Sequence, residues 1–103
     1  SAGEQKINLV YIDDVIRAFE HSYKEIFQQI DSHTRYSVSA TKLLTLKELV
    51  AIFEDTLDVK LNINWGEREY RKREVMAPWS GEKMLKGWVP KIDLPAGLAR
   101  AFR

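Results

Sequence analysis

The residues best suited to chemistry stand in one dense block, Glu67-Arg68-Glu69-Tyr70-Arg71-Lys72-Arg73-Glu74, directly after a strand-like segment. Four cations are interleaved there with three carboxylates, and the block follows a strand end instead of running along a helix face. A guanidinium offers a planar fork of donors that matches the oxygens of a diphosphate, and loops beyond strand ends commonly carry such ligands. The same composition also suits a solvated loop whose charges pair with one another. On the residues alone both readings stay open.

Other groups offer less. There is no Gly-rich phosphate turn, no Gly-Lys-Ser/Thr loop and no Ser-His-Asp set, and His21 and His33 stand apart from any partner. His21 falls off the main apolar stripe of its segment, which predicts a solvated side chain, and His33 belongs to a turn. Asp13-Asp14 reads either as a carboxylate pair for acid–base or metal work or as helix capping, and its place between a strand and a helix favours capping. Phe19, Tyr23, Phe27 and Phe53 recur at helical spacing, which predicts core packing. No catalytic residue and no metal ligand set is expected in this chain.

These residues need elements to position them. Ile7 to Ile12 is β-branched and aromatic-rich with Asn8 its one strongly polar member, and reads as a buried strand. Val15, Ile16, Phe19, Tyr23, Ile26, Phe27 and Ile30 then form a helical stripe broad enough to cover a sheet. Asp31 to Thr34 reads as a turn and Arg35 to Ser39 as a second short strand. Thr45 with Glu48 three residues on forms a capping box, flanked by Leu44 and Leu49 as a hydrophobic staple, and opens a helix through Leu57. Leu61, Ile63 and Trp65 alternate with Asn62 and Asn64 as a third strand that Gly66 ends. Ser80 caps a short helix through Leu85 closed by Gly87, and Asp93 caps a last helix that buries Leu94, Leu98 and Phe102, with Pro95 tolerated in its first turn. The expected class is α+β: about three short strands, two main helices and two short C-terminal helices.

The composition fits one domain or part of one: 103 residues, 45% apolar and 30% charged. No apolar run approaches the roughly 18 residues of a membrane span. Sixteen basic against fifteen acidic residues give a net charge of +1, which argues against a polyanion as main partner. The absence of Cys excludes a disulfide framework and thiolate chemistry and suits a reducing compartment. Ser1 to Lys6 has neither the apolar run of a signal peptide nor the Arg-rich start of a transit peptide, so a cytoplasmic location is expected.

Five pieces occur in order along nearly the whole chain: Gly3-Glu4-Gln5, Val10-Tyr11-Ile12-Asp13-Asp14-Val15, Tyr36-Ser37-Val38-Ser39, Tyr70-Arg71-x-x-Glu74-Val75-Met76 and Gly87-Trp88-x-Pro90-x-x-x-Leu94-x-x-Gly97-Leu98. Together they resemble the C-terminal part of the NAD-dependent epimerase/dehydratase family, the extended short-chain dehydrogenases/reductases that act on nucleotide-diphosphate sugars. The Gly-rich NAD-binding turn and the Tyr-x-x-x-Lys catalytic pair of that family lie in its N-terminal two-thirds, and neither occurs here. The resemblance therefore implies a fragment of an α/β Rossmann-type enzyme: residues 1–103 as a single C-terminal substrate-binding lobe, without the N-terminal NAD-binding domain and not catalytic alone. It implies that Arg71 contacts the diphosphate, that Glu74 reaches the nucleotide ribose and that Tyr70 lies beside them. No cofactor is expected in this chain, with NAD(P) implied for the parent enzyme.

The sequence departs from the family where a basic residue often precedes the first strand. Ile7 stands there, which leaves the diphosphate to Arg71 with Lys6. Ala40 stands where many relatives have Gly, and Ala77 to Lys86 is slightly short.

The expected partners are a nucleotide-diphosphate sugar and the missing Rossmann domain. The competing reading is a non-catalytic interaction module that self-associates or binds a partner chain through exposed apolar surface. A third, single-stranded nucleic-acid binding with Tyr70 and Trp65 as stacking platforms, is disfavoured by the interleaved acids.

Overall fold

Around Thr45 local chemistry alone dictates the structure. In a computed structural model of the chain, which describes residues 1–26, 35–79 and 84–103, the Thr45 hydroxyl accepts the Glu48 N–H at 3.1 Å. The Glu48 carboxylate accepts the Thr45 N–H at 3.0 Å in return. Two of the helix's free donors are thereby satisfied, and helix α2 runs from there over Leu46–Leu57. It stops where Asp58 adopts the left-handed conformation with φ 53°. Helix α3, Leu94–Phe102, starts in the same way: the Asp93 carboxylate accepts the Ala96 N–H at 2.9 Å, and Pro95 sits in the first turn where no N–H is needed.

α3 packs across α2. Phe53 and Phe102 meet edge to face, with centroids 5.3 Å apart and planes at 81°, and the Arg103 guanidinium donates to the Thr56 carbonyl at 2.6 Å. Strand β1, Lys6–Ile7, pairs antiparallel with β2, Leu44–Thr45, in the register Lys6 to Thr45 and Ile7 to Leu44. Helix α1 covers Ile12–Ile26. Among the described residues the fold is thus helix-rich, with a single two-stranded sheet.

Several expectations are corrected. The first strand keeps only Lys6–Ile7 of the run to Ile12, because the Asn8 side chain accepts the Ala40 N–H at 2.7 Å where the ladder would continue, and Ile12 already opens α1. The second strand shrinks to one parallel bridge, Ser37 to Met84. The third does not form. Leu61, Ile63 and Trp65 alternate as predicted, but no strand lies beside them among the described residues, and the Leu61 N–H turns to the Glu54 carboxylate at 2.7 Å. Alternation supplies a face, and only a neighbour supplies the ladder. Ser80 to Lys83, most of the expected third helix, lie outside the described residues, while Met84 and Leu85 are not helical. Phe102, expected buried, keeps an outer face in solvent.

The largest correction concerns α1. Its stripe was expected to face a core, yet Ile16, Phe19, Tyr23 and Ile26 are exposed, Phe19 by 73%; Phe27 and Ile30 lie outside the described residues. The buried apolar residues are instead Ala18, on the other side of the helix, with Leu85 and Trp88, against which Val10 and Tyr36 pack. The molecule is a slab of 53 × 36 × 15 Å with a radius of gyration of 16.8 Å, where a closed domain of this length has about 13 Å. Its accessible area of 8396 Å² compares with about 6,000 Å² for a monomer of this mass. Among the described residues, the exposed helix face and the slab shape go together: no element lies over Ile16, Phe19 and Ile26.

Candidate functional site

The charged block forms a loop whose shape comes from the other end of the chain. Gly66 donates its N–H to the Ser1 carbonyl at 2.7 Å, the Glu4 N–H donates to the Tyr70 hydroxyl oxygen at 3.0 Å, and the Lys6 N–H donates to the Met76 carbonyl at 2.6 Å. Ser1 to Lys6 is in turn sewn to the start of α2, where the Leu46 and Lys47 N–H groups donate to the Gln5 and Gly3 carbonyls, each at 3.1 Å. Gly3 is required at its position. It has φ 78°, and a Cβ there would lie 2.4 Å from the Trp65 ring. Lys47 stacks over the same ring at 5.9 Å and pairs with Glu4 at 3.0 Å.

Arg71 and Glu74 open and close one turn, in which the Glu74 N–H donates to the Arg71 carbonyl at 3.0 Å, and Tyr70 directly precedes it. Arg71 is exposed and Glu74 half-buried. Tyr70 is half-buried with its hydroxyl engaged on Glu4. Among the described residues, Arg68, Arg71, Lys72 and Arg73 are exposed and form no ion pair with Glu67, Glu69 or Glu74. Lys6 is exposed at the β1 edge and its charge acts on Glu48, whose carboxyl lies below its ordinary range. The Thr45 N–H is the main cause, followed by the Thr45 hydroxyl, with Lys42 and Lys6 adding to it.

A second cluster was missed in the sequence. Asp14 is 1% exposed. Its carboxylate accepts the Lys91 N–H at 3.1 Å, the Ile92 N–H at 2.9 Å and the Arg17 guanidinium at 2.7 Å. Asp14 thus caps a chain segment 77 residues away instead of its own helix. Arg17 also donates to the Val89 carbonyl and stands 5.6 Å from the Trp88 ring, whose Nε1–H donates to the Asp14 carbonyl at 3.0 Å. Burial disfavours the charged carboxylate, but the Arg17 bond, the Ile92 and Lys91 N–H groups and the Arg17 charge outweigh it and hold the group below the usual carboxylate range. His21, expected solvated, is half-buried and meets the Lys86 carbonyl, with Glu25 at 3.9 Å. The signal for this cluster was Gly87-Trp88 itself, since a buried indole needs an acceptor. His33 lies outside the described residues.

Among the described residues no glycine lies in a turn from a strand into a helix, where a dinucleotide's phosphates are cradled. Among the described residues no group of three or more His, Asp or Glu side chains converges as metal ligands do, and no helix is long and apolar enough to cross a membrane.

No family model matches the chain. It is 41% identical over 78 residues to a CDP-abequose synthase of Yersinia pseudotuberculosis, covering 76% of this chain and 26% of that protein. Over its whole length it is 28% identical to a CDP-abequose synthase of Salmonella typhimurium, of which it covers 36%. A UDP-glucose 4-epimerase of Thermotoga maritima, solved with UDP-glucose, superposes on 95% of the chain with a TM-score of 0.68 at 20% identity, the match spanning 30% of that protein. The chain thus spans about a quarter to a third of the length of the proteins it matches. Similarity in sequence to the abequose synthases and in fold to the epimerase agree, and the chain belongs to the epimerase/dehydratase family, in its sugar-nucleotide branch.

Proposed function

We propose that the chain is the C-terminal, nucleotide-sugar-binding lobe of an NAD(P)-dependent sugar-nucleotide epimerase, dehydratase or reductase. Arg71 holds the diphosphate through its donor fork, Glu74 reaches the ribose, and Tyr70 stands beside them. A separate Rossmann part supplies the bound nicotinamide, which exchanges hydride with the sugar, and the catalytic pair. The reaction is one of the cytoplasm.

The observation that carries this reading is the exposed apolar face of α1, Ile16, Phe19 and Ile26, in a chain that spans only part of its relatives. Such a face is the surface of a lobe whose covering layer lies elsewhere in the protein. The exposed cations Arg68, Arg71, Lys72 and Arg73 of the 66–76 loop add the anion-binding half of the argument.

The test titrates the chain with UDP-glucose and CDP-glucose by ligand-observed NMR, which reads weak binding. Arg71→Ala is expected to weaken binding roughly tenfold or more, and Arg71→Lys to recover only part, since an ammonium lacks the fork. Unchanged affinity in Arg71→Ala overturns the assignment. The same exposed face favours a second reading, a self-associating interaction module. Sedimentation at several concentrations tests it, because a monomer at every concentration rules out self-association.

A further inference from the structure

We propose that Tyr70 is a positioning residue and not a ligand: its hydroxyl pins the middle of the 66–76 loop to the N-terminal segment and thereby fixes the reach of Arg71. The inference rests on Arg71 being the diphosphate ligand and deepens that reading. Three bonds tie the loop to Ser1–Lys6, at Gly66, Tyr70 and Met76. The outer two are backbone bonds that any sequence can make. The middle one depends on a side chain, and it joins residues 66 apart in sequence.

Arg71 is the next residue after that pin. A guanidinium on a free loop would have to be ordered by the ligand at the ligand's own cost; held on a loop fastened on both sides, it starts near its bound geometry. The fastening is itself anchored, because Ser1–Lys6 lies on the start of α2, where Lys47 pairs with Glu4 and the Gly3 backbone rests on Trp65. A phenol suits this role by its length. Its ring spans the gap from the loop to the Glu4 N–H, and swinging the ring out to follow a ligand would break the bond that holds the loop. Tyr70 thus belongs to the framework of the site, and the N-terminal segment is part of the binding machinery without touching the substrate.

The experiment compares wild type, Tyr70→Phe, Arg71→Ala and the double variant. UDP-glucose and CDP-glucose are the probes, and amide hydrogen exchange is followed on the same samples. Removing one neutral acceptor is expected to weaken binding roughly three- to tenfold in Tyr70→Phe, to speed exchange at Glu4 and across 66–76, and to leave α3 unchanged. In the Arg71→Ala background the same change is expected to cost nothing further, because a positioning residue has nothing left to position. Full additivity of the two losses means that Tyr70 touches the ligand directly and overturns the proposal. Unaltered exchange across 66–76 in Tyr70→Phe overturns it as well, whether or not either probe binds. If Arg71→Ala leaves affinity unchanged while Tyr70→Phe still loosens the loop, the nucleotide-sugar reading fails and the pin stands.

Discussion

Replacing Asp14 by alanine removes the carboxylate that joins α1 to Lys91 and Ile92, in the segment leading into α3. The carboxylate takes up the Lys91 and Ile92 N–H groups and the Arg17 guanidinium within a site that is 1% exposed. Each backbone N–H left without an acceptor in a buried site costs about 1–3 kcal/mol. Arg17, whose side chain is 30% exposed, can turn to water, so its share is small. The sum is about 2–6 kcal/mol, against a total stability of order 5 kcal/mol for a chain of this length with so open a core. Asp14→Ala should therefore lose half or more of its stability in urea unfolding followed by tryptophan fluorescence, to which Trp88 contributes through its contact with Arg17. Asp14→Asn, which keeps one acceptor oxygen, should fall between. A loss below about 1 kcal/mol for Asp14→Ala would refute the view that this carboxylate holds the two parts together.

The same group sets the acid limit. Its folded-state pKa lies below its ordinary value of 3.8, so the stability it supplies is complete above that value and is lost as pH falls through the lower folded one. Unfolding scans at successive pH values should show this component disappearing below about pH 4, with no matching change between pH 5 and 8, and should not show it in Asp14→Asn. Thr45→Ala breaks the capping box and should cost about 1 kcal/mol, read as a lower midpoint with an unchanged slope in the same titration. Gly3→Ala places a Cβ against the Trp65 ring at a positive φ and should loosen the loop, seen as faster amide exchange at Gly66 and Lys6.

The parts that were legible in the sequence depend on neighbours a few residues apart. The Thr45–Glu48 box, the Asp93 cap and the Pro95 start are local, and each appears where its residues predicted it. The order of the five family pieces also needs no folding to be read, and it led to the right family. Strands were less legible, because a strand is completed by a partner: Leu61, Ile63 and Trp65 have the alternation and lack the neighbour. The α1 stripe was read correctly as amphipathic and wrongly as covered, since periodicity says which face is apolar and says nothing about what lies on it.

Tertiary structure alone decided three further matters. Asp14, which precedes a helical run like any capping residue, spends its carboxylate on Lys91 and Ile92. Tyr70, which stands next to Arg71 like a second ligand, spends its hydroxyl on Glu4. Trp88 spends its indole N–H on the Asp14 carbonyl. In each case side-chain chemistry is set by the sequence, but the partner is brought in from far along the chain, and no local pattern encodes a meeting at that distance.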